Sequence, residues 1–196
     1  MALALLDWRR RTARLYAEVR ADPGPAAAHA HWRETRDLLL REHPCSPVPA
    51  HERAGYSGAP MAAYDPHLRF ELEVDSDVPR RRSEHVTGTD GTVVLDLVGR
   101  LHVPDVGELD VWWLGSYGGG LFVPVKDATA GSATYGGGRY LIDTVKGADL
   151  GGDSGWLVVD FNFAYNPSCA YDPAWACPLA PPGNTVATPL MAGELV

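Results

Sequence analysis

Between residues 68 and 163 the chain repeats one arrangement: a short run suited to a strand, then a turn built on Gly, Pro or Asp. This repetition constrains the fold more than any other feature. Leu68-Arg-Phe-Glu-Leu-Glu-Val74 alternates apolar and polar side chains without a break, as a half-buried strand does. Gly88-Thr-Asp-Gly91 reads as a hairpin turn, its Asp-Gly pair supplying positive backbone angles. Strands are expected over residues 92–103, with a bulge or bend near Gly99, and then over 108–115, 121–126, 139–145 and 156–163. Trp112 and Trp113 would take opposite faces of one of them. Residues 185–190 could add a last short strand. Tight turns between successive strands imply antiparallel neighbours, and 21 Gly with 16 Pro favour such a turn-rich body over a helical bundle.

The N-terminal part reads differently. Over residues 7–20, Trp8, Leu15, Tyr16 and Val19 share one helical face, with Arg9, Arg10, Arg14 and Glu18 largely elsewhere. Asp22-Pro-Gly-Pro25 stops that helix. A second is expected over 26–42, turning Trp32, Leu38 and Leu39 to the core and pairing Arg33, Glu34 and Asp37 along its surface. Pro44 ends it at His43. Residues 45–66, rich in Pro, Gly, Ser and Ala, read as a wrapping loop or a site wall. The expected fold is α+β and mainly β: an antiparallel curved sheet or partly closed barrel with two N-terminal helices packed on it. It forms a single domain over residues 1–196, with a helical hairpin at 1–43 and a β body at 64–196 that ends in a Pro/Cys-rich clasp.

Charge and cysteine usage exclude several function classes. A net charge of -8 argues against nucleic acid as a partner, because an acidic chain repels phosphates. Arg80-Arg81-Arg82 and Arg9-Arg10-Arg11 read as solvated turn or helix faces. Residues 1–6 are apolar but too short for a signal core, and no run approaches the ~20 apolar residues that span a bilayer, so no membrane partner is expected. The odd count of cysteines, Cys45, Cys169 and Cys177, suits a reducing compartment, and the expected location is the cytoplasm.

Two stretches read as a built site. In Thr134-Tyr-Gly-Gly-Gly-Arg-Tyr140, Gly137 and Gly138 allow close backbone approach to an anion, and Arg139 offers a planar fork for carboxylate or phosphate. The bland alternative is a tight turn, with Arg139 paired to an internal acid such as Asp160. The second stretch runs from residue 160 to 184. Asp160 and Asn162 share a strand face, Tyr165 and Asn166 follow, and Asn184 closes it. Tyr135, Gly137, Gly138, Arg139, Asp160, Asn162, Tyr165, Asn166 and Asn184 are the ligand-binding candidates; Asp160 and Cys169 are the catalytic ones. Cys169 and Cys177 are weak metal candidates, because zinc cysteines usually come in closer pairs, and no cofactor is expected.

The motifs Tyr135-Gly-Gly-Gly-Arg-Tyr140, Asp160-Phe-Asn, Ala164-Tyr-Asn-Pro-Ser-Cys-Ala-Tyr171, Cys177-Pro-Leu-Ala-Pro-Pro-Gly-Asn184 and Ala192-Gly-Glu194 resemble the domain of unknown function 1684 family. Tyr64-Asp-Pro-His-Leu-Arg-Phe70 and the N-terminal Trp/Arg helix extend the resemblance over most of the chain. It implies relatives that are uncharacterised bacterial proteins, with no catalytic residue to carry over. Phe163 and Thr185 stand where the family pattern leads one to expect basic residues. Three readings follow: a small-molecule site for a polar or acidic ligand, enzymatic or not; a structural clasp that closes the barrel and serves as a homodimer surface; or a metal or redox site at Cys169 and Cys177.

Overall fold

The computed structural model describes residues 1–87, 91–115 and 117–196. Helix α1 spans Ala2–Ala21 and α2 spans Pro25–Glu42. Among the described residues seven strands pair in two antiparallel sheets. β2 (Arg82–Thr87), β3 (Gly91–Val103), β4 (Gly107–Leu114), β5 (Gly120–Val125) and β6 (Arg139–Asp143) form a meander in chain order. β1 (Arg69–Glu73) and β7 (Trp156–Asp160) form a separate pair. The α+β, mainly β reading holds. The expected barrel does not close: β2 and β6 remain the outer strands of the five-stranded sheet. The expected hairpin turn at 88–91 falls largely outside the described residues.

Local chemistry explains most boundaries. Pro25 begins α2 at a position where its missing N–H costs no hydrogen bond. His43, ahead of Pro44, turns extended at the other end. β3 shifts register between Leu97 and Gly99. A side chain at Gly99 would collide with Val74 and the Asp75 carbonyl, so the bend there depends on glycine. Pro124, which lacks an N–H, sits at a second register shift in β5.

Other expectations need correction. Leu38 is exposed, and Leu40 takes its place in the core beside Leu39. Arg82 belongs to β2, where it pairs with Asp96 of β3. β7 ends at Asp160, and Phe161–Phe163 is a 3-10 turn rather than strand. Residues 185–190 supply one parallel bridge, Lys126 to Thr185, and no strand.

The main core lies between the sheets and includes Leu101, Leu109, Val123, Val159 and Phe161. A second cluster seats the helical hairpin, with Leu15, Tyr16 and Trp32 against Ala148 and Phe163. Trp32 is fully buried and packs on His29 and Phe163, so Trp32→Ala would cost about 3–5 kcal/mol. Among the described residues no helix is long and apolar enough to cross a membrane.

Candidate functional site

The two stretches singled out in the sequence lie near each other, and the C-terminal tail is threaded between them. Arg139, at the start of β6, is completely buried. Its Nη2 pairs with Asp127 at 3.2 Å and donates to the Leu190 carbonyl at 2.9 Å. Its Nη1 donates to the carbonyls of Ala192 and Glu194. Asp127 also accepts from Thr134 Oγ1 (2.8 Å), Thr129 N–H (3.0 Å) and Leu190 N–H (3.0 Å). Burial pushes the Asp127 pKa up, but the bonds from Thr129, Leu190 and Thr134 outweigh it and hold the carboxyl below its usual range. The partner of Arg139 is therefore Asp127, not Asp160. The guanidinium grips backbone, and only its Nε lacks a partner.

The glycines before it serve the same tail. A side chain at Gly137 would strike the Tyr135 ring and Leu179, and one at Gly138 (φ 88°) would strike Ala180 and the Val125 carbonyl. They let residues 179 and 180 lie flat on the turn. Asn184 is likewise spent: Oδ1 accepts from Trp112 Nε1 at 2.7 Å, and Nδ2 donates to the carbonyls of Asp110 (2.8 Å) and Pro124 (2.9 Å).

Asp160 and Asn162 do meet, through a cap rather than a strand face. Asp160 accepts from the N–H of Asn162 (2.9 Å), its Nδ2 (2.7 Å) and the Tyr64 hydroxyl (3.2 Å). Asn162 clamps the Asp65 backbone at both its N–H and carbonyl, each at 2.8 Å. Burial pushes the Asp160 pKa up against these bonds. Asp160 reaches one small cavity of about 80 Å³, beside Arg20 and Arg69.

The thiols are unbonded. Cys169 receives the Tyr135 hydroxyl at 3.6 Å, and burial pushes the Cys177 thiol up, away from the thiolate a nucleophile or metal ligand needs. Among the described residues no three His, Cys, Asp or Glu side chains are placed to share a metal ion.

An open site lies on the other side of the tail. A cavity of about 90 Å³ separates the helical hairpin from residues 165–171. Leu15 and Tyr16 of α1, Trp32 and Arg36 of α2, Ala148, and Tyr165 with Asn166 line it. Arg36 sits between the Trp32 and Tyr165 rings, 5.5 Å from each centroid. Its Nη2 bonds Glu194 Oε2 at 2.7 Å and donates to the Tyr171 hydroxyl at 3.1 Å. Tyr171 in turn donates to Glu194 Oε1, and the Asn166 N–H to Oε2 at 2.9 Å. Burial opposes the Arg36 charge, yet Glu194 more than offsets it and holds the guanidinium above its usual range. Burial also pushes the Tyr16, Tyr165 and Tyr171 hydroxyls up, so they stay neutral.

Behind the lining, Arg36 Nη1, Asn166 Oδ1 and Trp32 Nε1, the last beside the Tyr16 hydroxyl, are buried and make no well-formed hydrogen bond. The Asn166 amide orientation is set by Nδ2, which donates to the Leu195 carbonyl at 3.2 Å.

Of the sequence candidates, Tyr165 and Asn166 reach this cavity. Tyr135, Gly137, Gly138, Arg139, Asn162 and Asn184 stand outside its wall, and Asp160 faces the smaller one. Sequence reasoning passed over Trp32, Arg36 and Glu194 as a group. Trp32 and Arg36 are four apart on one helix and therefore share a face, which is the signal that could have paired them.

The family described as Protein of unknown function (DUF1684) matches residues 54–195, and the chain belongs to this family. No curated protein matches the chain. Among solved structures, the solution NMR structure of an uncharacterized protein of Haloarcula marismortui is 32% identical with a TM-score of 0.59, covering 84% of this chain and 90% of that one. The family match takes in the clasp and the glycine turn but begins after the helical hairpin, so it spans one wall of the cavity and not the other. At the departure noted above, Phe163 is buried against Trp32 and His29, and Thr185 is exposed.

Proposed function

We propose that this protein binds a small molecule, with an apolar body and a hydrogen-bonding head, in the cavity between the helical hairpin and the C-terminal clasp. The observation that carries the reading is a mainly apolar cavity at the seam of the helical hairpin and the clasp, with polar side chains in its lining. The body would lie on Leu15, Leu39 and Ala148, and the head would reach polar side chains of the lining such as Thr12, Lys146 and Ser168. The expected ligand contacts at Tyr165 and Asn166 belong to this reading; Arg139, Asn184 and the glycine turn hold the wall in place. No catalytic step is assigned. The odd count of cysteines supports a reducing, cytoplasmic setting.

A thermal-shift screen of metabolites and fragments tests it, repeated on Ser168→Trp, which fills the cavity from its rim. Hits should stabilise the native protein and lose their effect in the variant. Hits that stabilise both proteins equally would place the ligand elsewhere and sink the proposal.

A further inference from the structure

The clasp folds back on itself so that Cys169 and Cys177 meet. The Cys177 sulfur accepts a hydrogen bond from the Cys169 N–H, and the two thiols are hydrogen-bonded to each other. Two tyrosines of the glycine turn fix the pair from one side. The Tyr135 hydroxyl donates to the Cys169 sulfur at 3.6 Å. The Tyr140 hydroxyl donates to the Pro178 carbonyl at 2.7 Å, beside the Cys177 thiol. Both thiols are only half-buried, so a small reagent can reach them. Residues 173–175, between them, are exposed, so the loop can adjust to a shorter sulfur–sulfur distance without moving the core. Cys45 stands apart, just after α2, its N–H bonded to His43 Nδ1.

We propose that Cys169 and Cys177 form a redox modification site, at which a small-molecule disulfide converts the two thiols into one reversible bond that staples the clasp. Burial keeps the Cys177 thiol protonated, so Cys169 makes the first attack. Its thiolate displaces one thiol from the small disulfide and is left in a mixed disulfide. Cys177 then attacks the Cys169 sulfur and expels the second thiol. The two protons lost by the protein thiols end on the two released thiols. The protein pair is oxidised and the small disulfide is reduced, so atoms and electrons balance. In a reducing compartment the pair rests as thiols, and the bond forms when the thiol pool becomes more oxidised. Tyr171, which holds Arg36 and Glu194, lies inside the loop that the bond closes. The staple therefore braces the clasp where it meets α2.

The test treats the reduced, intact protein with oxidised glutathione and follows thiol titration, intact mass, peptide mapping and the melting midpoint. Titratable thiols should fall from three to one, with the mapped bond joining Cys169 to Cys177 and Cys45 left free. Dithiothreitol should restore all three. Closing so short a loop should raise the midpoint by about 5 °C in a chain of this size. Cys169→Ser and Cys177→Ser should each lose that rise, and Cys177→Ser should keep a glutathione adduct on Cys169 that the native protein resolves. Cys45→Ser should behave as the native protein does. If a serine variant failed to fold, the bond mapped in the native protein decides alone. Three free thiols after treatment, a glutathione adduct that persists on native Cys169, or a bond to Cys45 or to a second molecule would overturn the proposal. So would a Cys169–Cys177 bond that leaves the midpoint unchanged or lowers it, since the pair would then not be placed for it.

Discussion

Two arginines, Arg139 fully buried and Arg36 largely so, grip the same C-terminal tail, and they do so differently. Arg139 turns both terminal nitrogens onto Asp127 and the carbonyls of Leu190, Ala192 and Glu194. Arg36 holds the Glu194 side chain and Tyr171 with one nitrogen and leaves the other unpaired beside a cavity. The first is a rivet: its bonds end on backbone that the fold itself supplies. The second is a rivet with a spare hand. An arginine's charge and its burial do not separate structure from function. What separates them is place: Arg139 is enclosed by the fold, and Arg36 lines a cavity.

The largest expected effect breaks the first half of that contrast. Arg139→Met removes the countercharge of Asp127 and strands three carbonyls, and should destabilise the protein by about 3–5 kcal/mol in urea unfolding. A loss below about 1 kcal/mol would show that Arg139 is not the structural anchor described.

Acid should attack the same anchor. The folded pKa of Asp127 lies below its unfolded value of about 3.9, so the unfolded state takes up the proton first. The stability that Asp127 supplies is therefore present above about pH 4 and is lost as pH falls through the depressed folded value. Unfolding midpoints measured from pH 6 to pH 2.5 should decline at the acid end in the native protein and decline less in Asp127→Asn. Equal declines would remove Asp127 from the account.

Arg36→Lys sharpens the second half. Lysine keeps a positive charge for Glu194 but loses the second arm of the fork. Stability should fall by only about 1 kcal/mol, while ligands found in the cavity should bind about tenfold more weakly. A variant that binds unchanged would mean that the free Nη1 is unused.

The smallest effect is expected at Thr185. It is exposed, so Thr185→Lys should change stability by less than about 0.5 kcal/mol and leave cavity binding unaltered.

The parts of the fold that were legible in the sequence are those that period and turn chemistry determine. β1 shows in its alternation, β4 in its split Trp112/Trp113 pair, and the bend at Gly99 in a glycine amid branched residues. β2 was hidden because Arg80-Arg81-Arg82 reads as a solvated turn, although Arg82 lies in a strand beside Asp96. The pairing of β1 with β7 joins residues about ninety apart and leaves no local trace. The same limit governed the site. Asp160 and Asn162 were read as sharing a strand face, but they meet through a cap, because the strand ends at Asp160. The partner of Arg139 could not be read, because Asp127 lies in a loop that only the folded tail completes. The cavity was least legible of all. Its walls come from α1, α2, Ala148 and the clasp, segments far apart in the chain that no local pattern joins.

The most direct measurement follows the side-chain N–H resonances of the two contrasted regions in 15N-labelled protein as fragment hits are titrated in. The account predicts that the Trp32 indole N–H shifts saturably while the Arg139 Nε–H stays still. Movement of the Arg139 signal with an unmoved Trp32 would contradict it, and would return the binding site to the glycine turn.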